Sequence, residues 1–311
     1  FYYNTDTGSS DDNATAAIFT VGSSFPKGYA AFYLMKYEIT EGQWVEFFNT
    51  LTTAQKTLRD ITANDATQLG KNSDSMTNRN TIAWTSGDAT TTRSDRVCNY
   101  LSWQDQCAYC DWAALRPFTE LEYEKACRGP LYPLNSGYAW GTVTITAAKT
   151  ISGTENGTET ITTSGANCVY NNQTFTGAGS DVSTGPLRAG ILATVSTVTR
   201  DASGSGYYGN MDLAGSVWER PVTVGNTAGR GFAGTHGDGV LTTLTSYEGN
   251  ATNLDWPGIS ATNNQGVNIS IGSGFRGGAW NVSTASDLEI SNRHWAGDDN
   301  NTRASTHGGR G

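Results

Sequence analysis

Cys107-Ala108-Tyr109-Cys110 is the spacing in this chain that most directly suggests chemistry. Two thiols three positions apart can cycle between dithiol and disulfide, or can supply half of a tetrahedral zinc site. Zinc needs a second Cys or His pair at a ligand spacing, and none follows. The other cysteines, Cys98, Cys127 and Cys168, stand singly. The set therefore reads as one or two disulfides plus a buried thiol. Cys107 with Cys127 is the expected bond, because both fall on helices that should touch.

The three histidines, His236, His294 and His307, are scattered. His294 and His307 flank Asp298 and Asp299, a conceivable metal set, but nothing fixes their spacing and the expectation is exposed polar loop. His236 and Asp238 sit in the glycine-rich stretch Phe232–Gly239 and suit a tight turn better than acid–base work. Glu38 and Glu41 could form a carboxylate pair, but a helix-cap role is the stronger reading.

The elements that would position these groups can be read in order. Residues 1–18 form a polar extension, opened by the aromatic run Phe1-Tyr2-Tyr3 that gives it something to dock with. Phe19 to Ile39 is rich in apolar and aromatic residues and predicts one or two strands. Thr40 with Gln43 is a capping box that starts a helix running to about Leu51. Residues 52–96 are polar and irregular. Ser102 caps a second helix, on which Trp103, Cys107, Cys110 and Ala114 fall at i, i+4, i+7 and i+11, one buried stripe. Thr119 and Glu122 open a third, ended by Gly129-Pro130. Helical periodicity stops after Tyr132. Residues 142–206 read as strands, such as 142–145 and 191–195, joined by long ordered loops. Met211–Glu219 is a turn feeding a strand. Gly274-Phe275-Arg276-Gly277-Gly278-Ala279-Trp280 reads as a strand start where backbone passes close to backbone, anchored by the tryptophan. Beyond it, Asn281 to Gly311 carries no apolar run of its own.

Composition narrows the function. The net charge is −9 with only 20 Lys+Arg, which argues against a nucleic-acid partner. No run of about 18 apolar residues exists, so no membrane span is expected. Charged residues make up only 16% while Gly, Thr, Ser and Asn abound, which suits a secreted or cell-surface protein. The start at Phe1 without methionine reads as a mature chain after signal removal. Asn-x-Ser/Thr triplets begin at Asn13, Asn156, Asn172, Asn250, Asn268, Asn281 and Asn300, and mark segments expected to be exposed, with glycan attached if the host glycosylates.

A family resemblance emerges from motifs in sequence order. Phe19-Thr20-Val21-Gly22-Ser23 resembles F-x-M-G-S, and Tyr37 to Trp44 resembles the helix start E-V-T-x-x-x-Y/W. Leu101 to Trp112 resembles V-S-W-x-D-A-x-A-Y-C-x-W, Arg116 to Glu124 resembles R-L-P-T-E-A-E-W-E, and Tyr138 to Gly141 resembles Y-P-W-G. Asp212 to Glu219 resembles D-M-A-G-N-V-W-E, Arg276 to Trp280 resembles R-G-G-S-W, Ser291-Asn292-Arg293 resembles S-x-R, and Gly309-Arg310 stands where G-F-R closes the domain. Together these resemble the formylglycine-generating-enzyme/sulfatase-modifying-factor (FGE-sulfatase) domain. The resemblance implies an α+β class with a variant C-type-lectin-like fold: a few short helices, antiparallel sheets and long ordered loops. One domain would fill residues 19–311, with insertions near 142–206 and 220–270.

The resemblance also implies chemistry to look for. Oxidase members of the family hold copper through two cysteines placed after R-G-G-S-x, and here those positions are Val282 and Asp287. Copper(I) needs soft thiolates, and no cysteine lies beyond Cys168, so no catalytic cofactor is expected. An iron-dependent branch uses His-x3-His-x-Glu in another domain, and no histidine here has a second at i+4. Structural calcium is common in the family. Ala166-Asn167 matches one site, and Ser216 and Glu219 fall at another, where Ser replaces an Asn ligand.

Three functions follow. The first is a non-catalytic extracellular structural protein, a self-assembling surface or filament subunit whose Phe1-Tyr2-Tyr3 segment connects copies, for example by adding a strand to a neighbour's edge. The second is a lectin-like binding module for a surface protein or glycan, as in non-catalytic relatives with a variable C-terminal surface. Its binding residues would be Asn281, Ser283, Asn292, His294, Trp295, Asp298, Asn300 and Arg303, polar groups around one exposed aromatic. The third is an enzyme with an unrecognised metal site.

Overall fold

Short helices begin where a Thr or Ser hydroxyl can take up an orphan backbone N–H. The computed structural model describes residues 20–177 and 181–311, and the backbone of residues 2–3 and 17–18. Helix α1 (Glu41–Thr50) starts at Thr40, whose hydroxyl accepts from Gln43 N while the Gln43 side chain accepts from Thr40 N. It buries Trp44, Phe47 and Phe48. Helix α2 (Thr53–Arg59) repeats the box with Thr52 and Gln55 inside the stretch expected to be irregular. It shows no apolar periodicity because its buried side chains are Gln55, Lys56 and Arg59.

Helix α3 (Trp103–Trp112) is capped by Ser102, with Asp105 closing the box. The expectation of one buried stripe is too narrow, because Trp103 through Asp111 are all buried. Ala114 lies beyond the helix, exposed and at φ 55°. Helix α4 (Glu120–Arg128) runs from the Thr119/Glu122 box to Gly129. Two single-turn helices, α5 (Arg200–Ser203) and α6 (Thr227–Arg230), and two 3-10 turns (Ala261–Asn263, Ala285–Leu288) complete the helical content described.

Strands are few and short. Tyr2–Tyr3 (β1) pairs antiparallel with Ala17–Ile18 (β2), Tyr2 opposite Ile18. Phe1, the first residue of the expected connector, lies outside the described residues, as does Asn13. Ile151–Ser152 (β3) pairs with Thr160–Ile161 (β4), and Ile259–Ser260 (β5) with Gly266–Val267 (β6), both antiparallel. Residues 20–39, 142–145 and 191–195 were expected to contain strands and contain none. These stretches run as irregular chain instead, burying Phe25, Ile39, Ile191 and Leu192 while Tyr29, Tyr33, Val143 and Val195 stay exposed, and the first is tied by single bonds such as Met35 N to Gly311 O and Ile39 N to Gly309 O, each 2.9 Å.

Three clusters of buried side chains fill the interior. One joins α1 and α3 to Val222, Phe232 and Trp256. A second gathers α4 with Tyr138, Trp140, Leu213 and Leu288. A third holds Ile151, Phe175, Leu187 and Ile191 with Trp280. The polar 142–206 region is secured by buried charge as well as by this third cluster. Glu155 accepts from both Arg79 and Arg96, and Glu159 pairs with Arg188 at 3.4 Å. Ionised groups stay inside only when paired in this way.

The Gly274–Trp280 stretch is close-packed, as its glycines suggest, but it is a turn and not a strand. A Cβ on Gly274 would stand 1.8 Å from Ala296 O, and Gly277 turns at φ 84° against Leu213 O. Between them Arg276 exchanges backbone bonds of 3.0 Å with Glu219. Its buried guanidinium reaches Glu120 at 3.1 Å and Glu124 at 3.2 Å on α4, and lies over the Tyr123 ring. Trp280 is buried and donates from Nε1 to Ser305 O at 2.9 Å. Among the described residues no helix is long and apolar enough to cross a membrane.

Candidate functional site

Trp218, Phe275 and His307 are far apart in the chain and adjacent in space. Trp218 N donates to Thr306 O at 2.8 Å, and Phe275 N to Trp295 O at 2.8 Å, which brings three segments side by side. The Phe275 ring then lies 4.6 Å from that of His307 and 6.0 Å from that of Trp218. Arg220 places its guanidinium 4.4 Å from the Phe275 centroid. With Trp295 these rings line a cleft of about 380 Å³. Around them stand Asn281, Ser283, Thr284, Asp287, Asp298 and Asn300.

The charges in this cleft are settled by burial. His307 is buried and its pKa is lowered to about 3, first by desolvation and then by Arg220. The ring is therefore neutral at any ordinary pH. Its Nδ1 lies 2.8 Å from Thr302 O. A carbonyl can only accept, so Nδ1 carries the proton and Nε2 is left as an acceptor. Burial also pushes the Asp287 carboxyl up, with His294 pulling the other way. Burial lowers Arg220 to about 10, opposed chiefly by Asp298. The result is an aromatic floor with a neutral imidazole and a rim of amides, hydroxyls and two carboxyls. Such a surface can hold a ligand that has an apolar face and polar edges.

Five of the eight residues expected to bind ligand meet in this cleft: Asn281, Ser283, Trp295, Asp298 and Asn300. Two others act behind it. His294 packs edge-on against Trp295 at 4.6 Å, and Asn292 donates to Ser286 O and accepts from His294 N. Arg303 must be corrected. It is buried, and its guanidinium is spent on Asp105, with Nε to Oδ2 at 2.7 Å and Nη2 to Oδ1 at 2.9 Å. His307, expected as exposed loop, is part of the floor. Trp218, Phe275 and Thr284 were missed. Trp218 belongs to a recognised motif and Phe275 directly precedes another, but nothing local marks which face of a motif turns outward.

The remaining candidates fall elsewhere. The expected Cys107–Cys127 disulfide is not formed, because all five cysteines are free and buried. Cys107 packs in the first core cluster and Cys127 in the second. Desolvation raises the pKa of each thiol, Cys127 to about 12, so none offers a reactive thiolate. The sequon Asn250, expected to be exposed, is buried against Arg59 and Gln265. Glu41 caps nothing. It accepts from the Thr81 hydroxyl at 2.6 Å and the Thr91 hydroxyl at 2.5 Å. Glu38 is buried beside Asp212 and Glu219, with Arg310 the opposing cation.

Metal fits can be judged by the donors present. Val282 and Asp287 line the same cleft, and neither offers a thiolate, so a copper(I) site does not fit. Asn167 has both ends of its amide engaged, accepting from Thr146 N at 2.9 Å and donating to Thr144 O at 3.2 Å. Glu219 holds Arg310, Nε to Oε1 at 2.6 Å, and the neighbouring Glu38 accepts from Val217 N at 3.2 Å. An internal guanidinium thus supplies the positive charge that calcium would bring, and the expected calcium donors fit calcium poorly. Among the described residues no three His, Cys, Asp or Glu side chains converge as a metal set.

Comparison with known proteins adds lineage to this geometry. A family model described as the sulfatase-modifying factor enzyme 1-like domain matches residues 27–310. The formylglycine-generating enzyme of Bos taurus is 29% identical over 154 residues, covering 40% of this chain and 41% of that protein. The formylglycine-generating enzyme of Mus musculus is 45% identical over 49 residues, or 16% of this chain and 13% of that one. The matched segment thus spans about two fifths of the bovine relative.

Proposed function

The chain belongs to the sulfatase-modifying factor enzyme 1-like family, and from that premise we propose that it is a binding module and not an oxidase. The observation that carries this reading is the cleft itself. Where resemblance to the oxidases places two copper-binding cysteines, Val282 and Asp287 face a pocket floored by Trp218, Phe275, Trp295 and His307. Aromatic side chains bring contact area at low entropic cost, and the short polar residues around them bring adaptable hydrogen bonding. The ligand is a polar molecule with one apolar face, carried on a glycan or a surface protein.

The test uses purified chain on a printed array of glycans and peptides. Binding should saturate, should be lost in Trp295→Ala, and should survive Tyr33→Ala, a fully exposed tyrosine outside the cleft. Binding unchanged by Trp295→Ala overturns the cleft as the site. Copper(I) titration should give no stoichiometric uptake. One tightly held copper per chain, with oxygen-dependent oxidation of cysteine peptides, would overturn the non-catalytic reading.

Self-assembly is the second reading. It draws on the Tyr2–Tyr3/Ala17–Ile18 ribbon, which has no third strand among the described residues. Deleting residues 1–18 should abolish polymers seen by negative-stain microscopy and leave the rest folded. Polymers that persist rule out this segment as the connector.

A further inference from the structure

The binding cleft carries a charge sign of its own. Its lining contains two carboxylates, Asp287 and Asp298, and no lysine or arginine. Both residues are half-buried, so a molecule in the cleft can touch them. Asp298 Oδ1 accepts from Asn300 N at 2.8 Å, and neither carboxylate is in an ion pair among the described residues. Arg220 is the guanidinium set against them. It is buried, lies 4.4 Å from the Phe275 centroid, and donates from Nη2 to Asn300 O at 2.7 Å. His294 acts on Asp287 from beside Trp295.

Two indoles share this lining. Trp218 and Trp295 are half-buried and flank Phe275, the Trp218 ring 6.0 Å from the Phe275 ring and Trp295 O accepting from Phe275 N at 2.8 Å. Among aromatic side chains an indole attracts a cation most strongly over its face. The oxygens of Asn281, Ser283 and Thr284 stand in the same lining and can accept from N–H groups. Carboxylates, indole faces and neutral acceptors all favour the same kind of guest, one with positive charge and several donors.

Lysine and arginine side chains meet these demands together, since each has a methylene stem that lies on apolar surface and a charged head that only donates. An acidic guest would meet like charge at both carboxylates, which is costly when water is excluded. The chain as a whole, at net charge −9, also draws a basic partner from solution. We propose that the cleft receives a lysine or arginine side chain presented by a partner protein, its head held by Asp287 and Asp298 and its stem laid on the two indoles. The inference rests on the reading of this cleft as the binding site, and it names the ligand class.

Isothermal titration of the whole chain at pH 8 tests it. The probes are capped glycine peptides with one central lysine, arginine, acetyl-lysine, citrulline or glutamate, and putrescine as a free amine. The lysine or the arginine peptide should bind about tenfold more tightly than its neutral counterpart, acetyl-lysine or citrulline, and the glutamate peptide should not bind. Asp287→Asn and Asp298→Asn keep the side-chain shape and remove the charge. Each should weaken the basic peptides about tenfold and leave the neutral ones unchanged, with circular dichroism showing both variants folded. If neither basic peptide binds, if the neutral peptides bind as well, or if both substitutions leave basic binding untouched, the ligand class is wrong. Putrescine binding more tightly than either basic peptide makes the partner protein wrong. Loss of array binding in Trp295→Ala remains the separate measure of the cleft, so the class can fail while the cleft stands.

Discussion

Arg303 reaches from the C-terminal segment into α3 and grips Asp105 in a two-pronged pair, 2.7 Å and 2.9 Å, with Arg59 on the same carboxylate at 3.1 Å. The pair is fully enclosed. It anchors a polar segment that has no apolar run of its own, because a buried guanidinium stays inside only where a carboxylate and carbonyls meet it.

Removing one side of this pair should be severe. Arg303→Leu is expected to lower unfolding free energy by about 3 kcal/mol in a denaturant titration, since it leaves Asp105 with a single cation. A loss under about 1 kcal/mol would mean that Asp105 is satisfied by Arg59 alone.

At the cleft, Trp295→Ala should leave stability close to the parent, because the side chain is only half-buried. It should weaken ligand capture by about tenfold or more. Thermal melting and array binding of one preparation separate the two effects.

His307 predicts a pH signature. Its folded pKa, about 3, lies below the ordinary histidine value, so the neutral ring is the form that folds. That contribution is complete above the unfolded pKa and is lost as pH falls below it, because only the unfolded chain then takes the proton. The parent should lose about 2 kcal/mol between pH 7 and pH 5 from this group. His307→Phe lacks the slope, so the stability gap between the two proteins should narrow across that range. A constant gap would show that the ring titrates normally.

Glu38 predicts the opposite slope. Burial raises its pKa, and Asp212 and Glu219 raise it further against Arg310. A raised carboxyl contributes below its unfolded pKa and loses that contribution as pH rises through the folded value. Glu38→Gln mimics the protonated form. It should match the parent near pH 5 and exceed it at pH 8 in chemical denaturation. Equal stability at both pH values would place the charge elsewhere.

The thiols can be counted. All five are buried and free, so a thiol reagent should react slowly with native protein and with five equivalents after unfolding without reductant. Three equivalents would indicate a disulfide.

What the sequence determined by itself is local or cumulative. The helix starts at Thr40, Ser102 and Thr119 were legible because a cap is a bond between residues three apart. The family was legible because its motifs recur in order along the chain, and the lack of a thiol beyond Cys168 follows from reading alone. Helix α2 was not, since its buried face is Gln55, Lys56 and Arg59. Nor were the strands, because apolar runs such as 191–195 fill irregular loops whose bonds are made singly to distant chain.

The tertiary structure decided which polar residues of 281–306 face a ligand. Asn300 and Arg303 look alike as hydrophilic loop residues, yet one lines the cleft and the other is buried on a partner 198 positions away. Phe275, Trp218 and His307 become one floor only when three segments are hydrogen-bonded side by side. Sequence spacing cannot encode that meeting, because the contacts depend on how the whole chain closes and not on any repeat within it.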